Sequence, residues 1–197
     1  MSAEQAYSFF VFAFVAAVTP GPSNVMLTAA GANAGILRGL PCLLGVDVGM
    51  ALMLFLIAFG LGSVILGHPG VVAGMKWGGA AFLLWLAWKI ASAKGGATGE
   101  ARPVGFLGAA ALQWVNPKAW LVSTSAAGTY LQADSGSALT QGVGLGLLFL
   151  AAALPAGFVW LAFGVGMRRV LSSPRRLRVF NVAMGALLAG SVILFVV

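Results

Sequence analysis

Apolar residues run in six long blocks along this 197-residue chain. Each is close to the roughly 20 residues a helix needs to cross the hydrocarbon core of a bilayer. The blocks are Ala6–Ala30, Leu40–Leu66, Val71–Ala91, Val104–Tyr130, Leu139–Val165 and Val179–Val197. Short connections separate them: Gly31–Gly39, Gly67–Gly70, Ser92–Pro103, Leu131–Ala138 and the basic stretch Gly166–Arg178. Lipid offers no water to the backbone, so segments this apolar are expected to satisfy their N–H and C=O groups as helices. The pattern predicts an all-α polytopic membrane protein of six transmembrane helices. No polar linker divides it, so residues 1–197 are expected to form a single domain.

Composition supports the same reading. Hydrophobic residues make up 60% of the chain and charged ones 8%, against about 25% charged in soluble domains. Mean hydropathy is +1.01. Too few polar groups are present to cover a water-facing surface. The net charge of +7 could suggest nucleic acid, but the basic residues sit at the ends of apolar blocks. The lipid bilayer is the expected partner, and no nucleic acid is.

Nine of the eleven Lys and Arg residues fall on one side of a six-span arrangement: Arg38, Lys89, Lys94, Arg102, Arg168, Arg169, Arg175, Arg176 and Arg178. Only Lys76 and Lys118 do not. The positive-inside rule makes the basic side cytoplasmic and puts both termini outside. The Arg168–Arg178 cluster reads as an anchor in lipid headgroups, with substrate steering as the alternative. Trp77, Trp85 and Trp88 read as interface belt and packing. Glu4 and the lack of Lys or Arg before Arg38 argue against a secretory signal, so the first block is read as retained. Cys42 stands alone, which excludes an intramolecular disulfide and two-cysteine redox chemistry within one chain.

Weak self-similarity divides the chain into residues 1–94 and 103–197. Ile57-Ala58-Phe59-Gly60-Leu61-Gly62 closes the second block, and Leu161-Ala162-Phe163-Gly164-Val165-Gly166 closes the fifth. Thr28-Ala29-Ala30-Gly31 has a counterpart in Ser125-Ala126-Ala127-Gly128, and Gly79-Ala80 in Gly185-Ala186. A repeat of three crossings must be inverted in the membrane. Inverted 3+3 repeats with midplane binding sites are characteristic of secondary transporters.

Two blocks are interrupted near their middles. The first contains Thr19-Pro20-Gly21-Pro22-Ser23-Asn24, and the fourth contains Asn116-Pro117-Lys118. Proline removes a backbone donor and clashes with the preceding turn, so Pro20, Gly21, Pro22 and Pro117 are helix-break residues. Asn before Pro reads as an N-cap and first helical residue. Half-helices are therefore expected to start at Pro117 and near Pro22. Such starts present unsatisfied N–H groups and partial positive charge, which suit a substrate carboxylate. Thr19, Ser23, Asn24, Gln113, Asn116 and Lys118 are the expected substrate-binding residues. Simple kinking of packed helices is the alternative. Asp47, the only acid inside a predicted span, is the candidate for proton coupling; a packing ion pair with Arg38 or Lys118 is its alternative. The flanking Gly45 and Gly49 permit close helix approach.

These residues carry a resemblance. Thr19-Pro20-Gly21-Pro22-Ser23-Asn24, Gly45-Val46-Asp47-Val48-Gly49, Lys76-Trp77-Gly78-Gly79-Ala80-Ala81-Phe82-Leu83-Leu84-Trp85-Leu86, Asn116-Pro117-Lys118 and the small-residue last helix after Phe180-Asn181 together resemble the lysine-exporter and homoserine/threonine-exporter (LysE/RhtB) family. The resemblance covers nearly the whole chain. It implies a bacterial inner-membrane protein that exports amino acids or close derivatives, driven by the proton gradient, with no cofactor and no enzymatic activity. It leaves open which amino acid, and whether the protein is a homodimer. A metal or cation exporter of the same superfamily is the main alternative. One Cys, one His and scattered acids supply metal ligands poorly. A non-transporting membrane protein is the other alternative; no nucleophile–base or metal constellation marks an enzyme.

The charge pattern makes a topological prediction. Single cysteines placed at Ser2 and at Arg175, in a Cys42→Ser background, should differ in reactivity toward a membrane-impermeant thiol reagent added to intact cells. Ser2→Cys should label and Arg175→Cys should not. The reverse would invert the topology.

Overall fold

A computed structural model describes residues 1–93, 103–131, 137–171 and 173–196. Among them are nine helical segments: α1 (Ala3–Val18), α2 (Pro22–Ala34), α3 (Ile36–Ala58), α4 (Leu61–Leu66), α5 (Pro69–Ala91), α6 (Phe106–Val115), α7 (Pro117–Tyr130), α8 (Ala138–Val170) and α9 (Pro174–Val196). Lys94, Arg102 and most of the two expected connections Ser92–Pro103 and Leu131–Ala138 lie outside the described residues, as do the side chains of Arg168 and Arg169.

Several boundaries differ from those the hydrophobic pattern predicts. The expected connection Gly31–Gly39 is almost wholly helical. Only Gly35, at φ 84°, separates α2 from α3. The expected second span is cut at Phe59-Gly60, where Gly60 adopts φ 87° and α4 begins as a separate short helix. Both turns need the left-handed region that glycine enters without steric cost. The basic stretch Gly166–Arg178 is not a long loop: α8 runs to Val170 and α9 starts at Pro174. Lys and Arg are good helix formers, so basic residues here extend helices beyond the apolar blocks.

Four helical stretches are long and apolar enough to cross a membrane: Ile36–Ala58, Pro69–Ala91, Ala138–Met167 and Pro174–Ile193. A fifth is the α1–α2 pair, bent by 59° at its break. α6 is apolar, but its 10 residues are too short to cross alone.

α3 and α8 form the centre. They pack along each other, α3 also along α6 and α8 also along α2 and α1, while α5 lies along α9 at one side. Glycines bring the axes together. A Cβ at Gly45 would overlap the Phe106 carbonyl oxygen, and one at Gly49 would lie 2.8 Å from Ala110 Cα. These two glycines seat α6 on α3. Gly31 and Gly164 do the same between α2 and α8, each facing the other helix's backbone carbonyl. Small residues at crossings are how helices gain van der Waals contact where lipid removes the hydrophobic drive.

The buried apolar side chains form two clusters. One gathers Leu27, Leu43, Leu83, Leu86, Leu112, Leu161 and Leu188, and the other Phe9, Met53, Leu54, Val122, Leu145, Phe149 and Ala153. At one end of the bundle Asn33 of α2 and Asn181 of α9 exchange amide hydrogen bonds of 2.8 and 3.0 Å. Asn181 Nδ2 also donates to Ala93 O beyond α5. That contact ties α2 and α9 to the residue beyond the end of α5. The two similar hexapeptides behave differently: α3 stops at Ala58 in the first, and α8 runs unbroken through the second.

Close packing at these glycines sets a stability prediction. Overpacking a core costs about 1–3 kcal/mol and more against backbone. Gly45→Val and Gly31→Val should lower the thermal unfolding midpoint of the purified protein clearly. Gly74→Val, which faces open space, should not. Equal midpoints for all three would refute the close approach.

Candidate functional site: a polar cavity between two broken helices

Three carbonyls at the end of α1 have lost their helical partners. Thr19 leaves the helix in extended conformation, and Gly21 begins α2 as an N-cap without a side chain. Side chains supply the missing donors. Asn24 Nδ2 donates to Ala17 O at 3.0 Å and to Thr19 O at 2.9 Å. Trp160 Nε1 of α8 donates to Val18 O at 3.2 Å. Lys118 Nζ, from the first turn of α7, also donates to Thr19 O. A cation at a helix C-terminus meets the negative end of its dipole. Gly21 makes this possible, because a Cβ there would lie 2.9 Å from Lys118 Cδ.

The second break is closed differently. Asn116 is the N-cap of α7, and its Oδ1 accepts from Lys118 N at 3.1 Å. Pro117 has no N–H, and Ala119 N donates to Asn116 O at 3.0 Å, so the start of α7 is fully occupied. α2 has no such capping side chain, and the N–H groups of Ser23 and Asn24 in its first turn lack that partner. Between the breaks, Asn116 Nδ2 donates to Ser23 Oγ at 3.2 Å, and Ser23 Oγ donates to Gln113 Oε1 at 3.2 Å. Gln113 Nε2 is bound to Ala109 O at 3.0 Å.

Ser23, Asn24, Gln113, Asn116 and Lys118 line one cavity of about 50 Å³, together with Gly21 and Asp47. By that measure it holds a few waters at most, since one water needs roughly 10–15 Å³. Thr19 does not line it; its Oγ1 donates to Val15 O at 2.6 Å. Pro20, Pro22 and Pro117 shape the breaks without lining the cavity. Asp47 is 2% exposed, and its Oδ2 has no hydrogen-bond partner. It forms no ion pair with Lys118, whose ammonium is bound to Thr19 O. The pattern of the sequence did not indicate most of the apolar wall: Leu27, Val46, Met50, Val122, and Phe149, Ala153 and Gly157 from α8. Nor did it indicate the donor Trp160. Pro155 inside α8, followed by Ala156-Gly157, was the available signal. Gly157 lies against Leu43, whose Cδ1 would stand 2.5 Å from a Cβ placed there, with Asp47 Oδ2 at 3.6 Å.

Long apolar helices around a polar cavity where two helices break define a multi-pass membrane protein. The chain belongs to the LysE type translocator family, whose family model matches residues 14–197. The match takes in both breaks, Asp47 and the Asn33–Asn181 contact. No curated protein and no solved structure matches the chain.

The hydrogen bonds change what Asn24 is expected to do. Its amide holds two α1 carbonyls, so Asn24→Ala should destabilise the protein by about 1–3 kcal/mol, the cost of leaving buried acceptors unpaired. Asn116→Ala, which loses mainly a cap, should cost about 1 kcal/mol. Denaturation of both variants in one detergent checks the order. Parental stability in Asn24→Ala would contradict the bridging role.

Proposed function

We propose that this translocator exports amino acids or close derivatives from the cytoplasm, with Asp47 coupling export to proton entry. The observation that carries the reading is the convergence of five uncharged or cationic polar groups and one unpaired carboxylate on a single cavity between two helix breaks. Intramembrane carboxylates are costly and recur in proton relays. Substrate sites of secondary transporters recur at broken helices. Family membership makes membrane transport the frame for both.

On this reading α6 and α7 together make one broken crossing, as α1 and α2 do, giving six. The inverted repeat is supported by helix contacts. Exchanging α1, α2, α3 and α5 with α6, α7, α8 and α9 carries the α1–α8 contact onto α3–α6, α2–α8 onto α3–α7 and α1–α7 onto α2–α6. It returns α3–α8 and α5–α9 to themselves. The α5–α6, α2–α9, α2–α3 and α6–α7 contacts have no counterpart of similar extent among the described residues, so the symmetry is approximate. Both termini then face outward across a bacterial inner membrane. A cavity of about 50 Å³ is smaller than the roughly 300–1,000 Å³ of drug-sized ligand sites, so the breaks must part to admit substrate.

The test is a proteoliposome panel of amino acids, run with and without an imposed proton gradient. At least one amino acid should be carried, faster with the gradient. Asp47→Asn should abolish the gradient's effect. Gradient-independent transport in the parent protein, or undiminished stimulation in Asp47→Asn, would overturn proton coupling. A panel with no transported amino acid would overturn the substrate class.

A further inference from the structure

The cavity has two chemically opposite places for charge and only one acid. Asp47 is the only His, Cys, Asp or Glu among its lining residues, and its Oδ2 is buried without a partner. Native proteins rarely leave a buried polar atom unpaired, and an unpaired buried charge is more costly still. Among the described residues, no side chain is found in an ion pair with it. Of the helices packed on α3, only α7 brings a titratable side chain to the cavity, Lys118, and that ammonium is held by Thr19 O. The other titratable neighbour is Cys42 on α3 itself, buried among apolar side chains. At the first break lie the uncapped start of α2 and Lys118, groups that favour an anion. Apart from the neutral polar groups of Ser23, Asn24, Gln113 and Asn116, the wall is apolar, with Met50, Val122, Phe149 and Ala153 among its residues.

We propose that Asp47 binds the ammonium group of a zwitterionic substrate whose carboxylate lies at the start of α2. The substrate is then a neutral amino acid with an apolar side chain resting on the Phe149 wall. A dibasic amino acid would bring a second cation for which the described lining holds no counter-charge. This rests on the amino-acid export reading above and deepens it. One carboxylate cannot hold a proton and an ammonium ion together. Substrate and proton therefore exclude each other at Asp47, and their exchange follows from competition without a separate proton site. Export proceeds when the ammonium leaves outward and a proton takes its place for the return.

The experiment measures affinity of the purified protein for L-leucine, L-lysine, 4-methylpentanoate (leucine without its amine) and 3-methylbutylamine (leucine without its carboxylate). Hydrogen bonds to charged groups make each missing end cost about ten- to hundredfold. L-leucine should bind tightest and L-lysine at least about tenfold weaker. Asp47→Asn should weaken L-leucine by about ten- to hundredfold and should not weaken 4-methylpentanoate, since it removes a negative charge. In the parent protein, lowering pH should weaken L-leucine, by up to about tenfold per unit, while 4-methylpentanoate above pH 6 should not weaken. That titration needs no variant and decides the matter even if Asp47→Asn does not fold. Parental L-leucine affinity in Asp47→Asn, equal weakening of both ligands, or preference for L-lysine would overturn the proposal. If amino acids are transported while any of these holds, the export reading survives and this assignment falls. If no amino acid binds or is transported, both fall.

Discussion

A helix that stops inside a bilayer leaves backbone groups that lipid cannot satisfy, and the arrangement of this protein follows from how that need is met. At the end of α1 the carbonyls of Ala17, Val18 and Thr19 take donors from Asn24, Trp160 and Lys118. Those donors come from α2, α8 and α7. One local deficit thus fixes four helices about a point. It also commits Lys118 to a carbonyl, which leaves the Asp47 carboxyl of the cavity without an ion-pair partner among the described residues. Sequence and function meet here: the prolines that break the helices create the need, and the polar groups that answer it become the walls of the site.

The surrounding packing decides what that site can do. Apolar clusters border the polar layer, one reaching the cavity through Leu27 and Val46, the other through Met50, Val122, Phe149 and Ala153. They flank a cavity of about 50 Å³. Gly31 against α8 and Gly45 against α6 bring backbones into contact, so those pairs are expected to move as rigid bodies. The breaks at Gly21 and Asn116 are joined chiefly by long hydrogen bonds of 3.2 Å through Ser23 and by the Lys118 side chain. These are the contacts that can part without exposing a glycine seam. On the proposed export reading, alternating access would amount to motion of half-helices about the breaks.

Much of this was legible in the sequence because proline, glycine and buried polar residues each have few structural options. Asn116-Pro117 has the order of an N-cap and first helical residue, and Asn116 caps α7. Ser23, Asn24, Gln113, Asn116, Lys118 and Asp47 do share a cavity, although the six come from three segments far apart in sequence. The misses have a common cause. In a span that is apolar on every face, periodicity does not tell a lipid-facing residue from a cavity-facing one, so Phe149 and Ala153 carried no mark. The turn at Gly60 was hidden for a related reason: a lone glycine in an apolar run serves packing as readily as chain reversal. Partner choice was the other loss. Spacing placed Lys118 near the site and could not show that Thr19 O holds it.

The central claim is that the space between the two breaks is where substrate sits. Substrate protection of a reporter thiol in that space tests it most directly. In a Cys42→Ser background, Ser23→Cys and Ala153→Cys would be labelled with a small membrane-permeant thiol reagent, with and without a saturating transported amino acid. Leu107→Cys, on an exposed face of α6, serves as the control. The account predicts slower labelling at positions 23 and 153 in the presence of substrate and an unchanged rate at position 107. Labelling at positions 23 and 153 that is indifferent to a substrate the protein demonstrably carries would contradict it and place the pathway elsewhere.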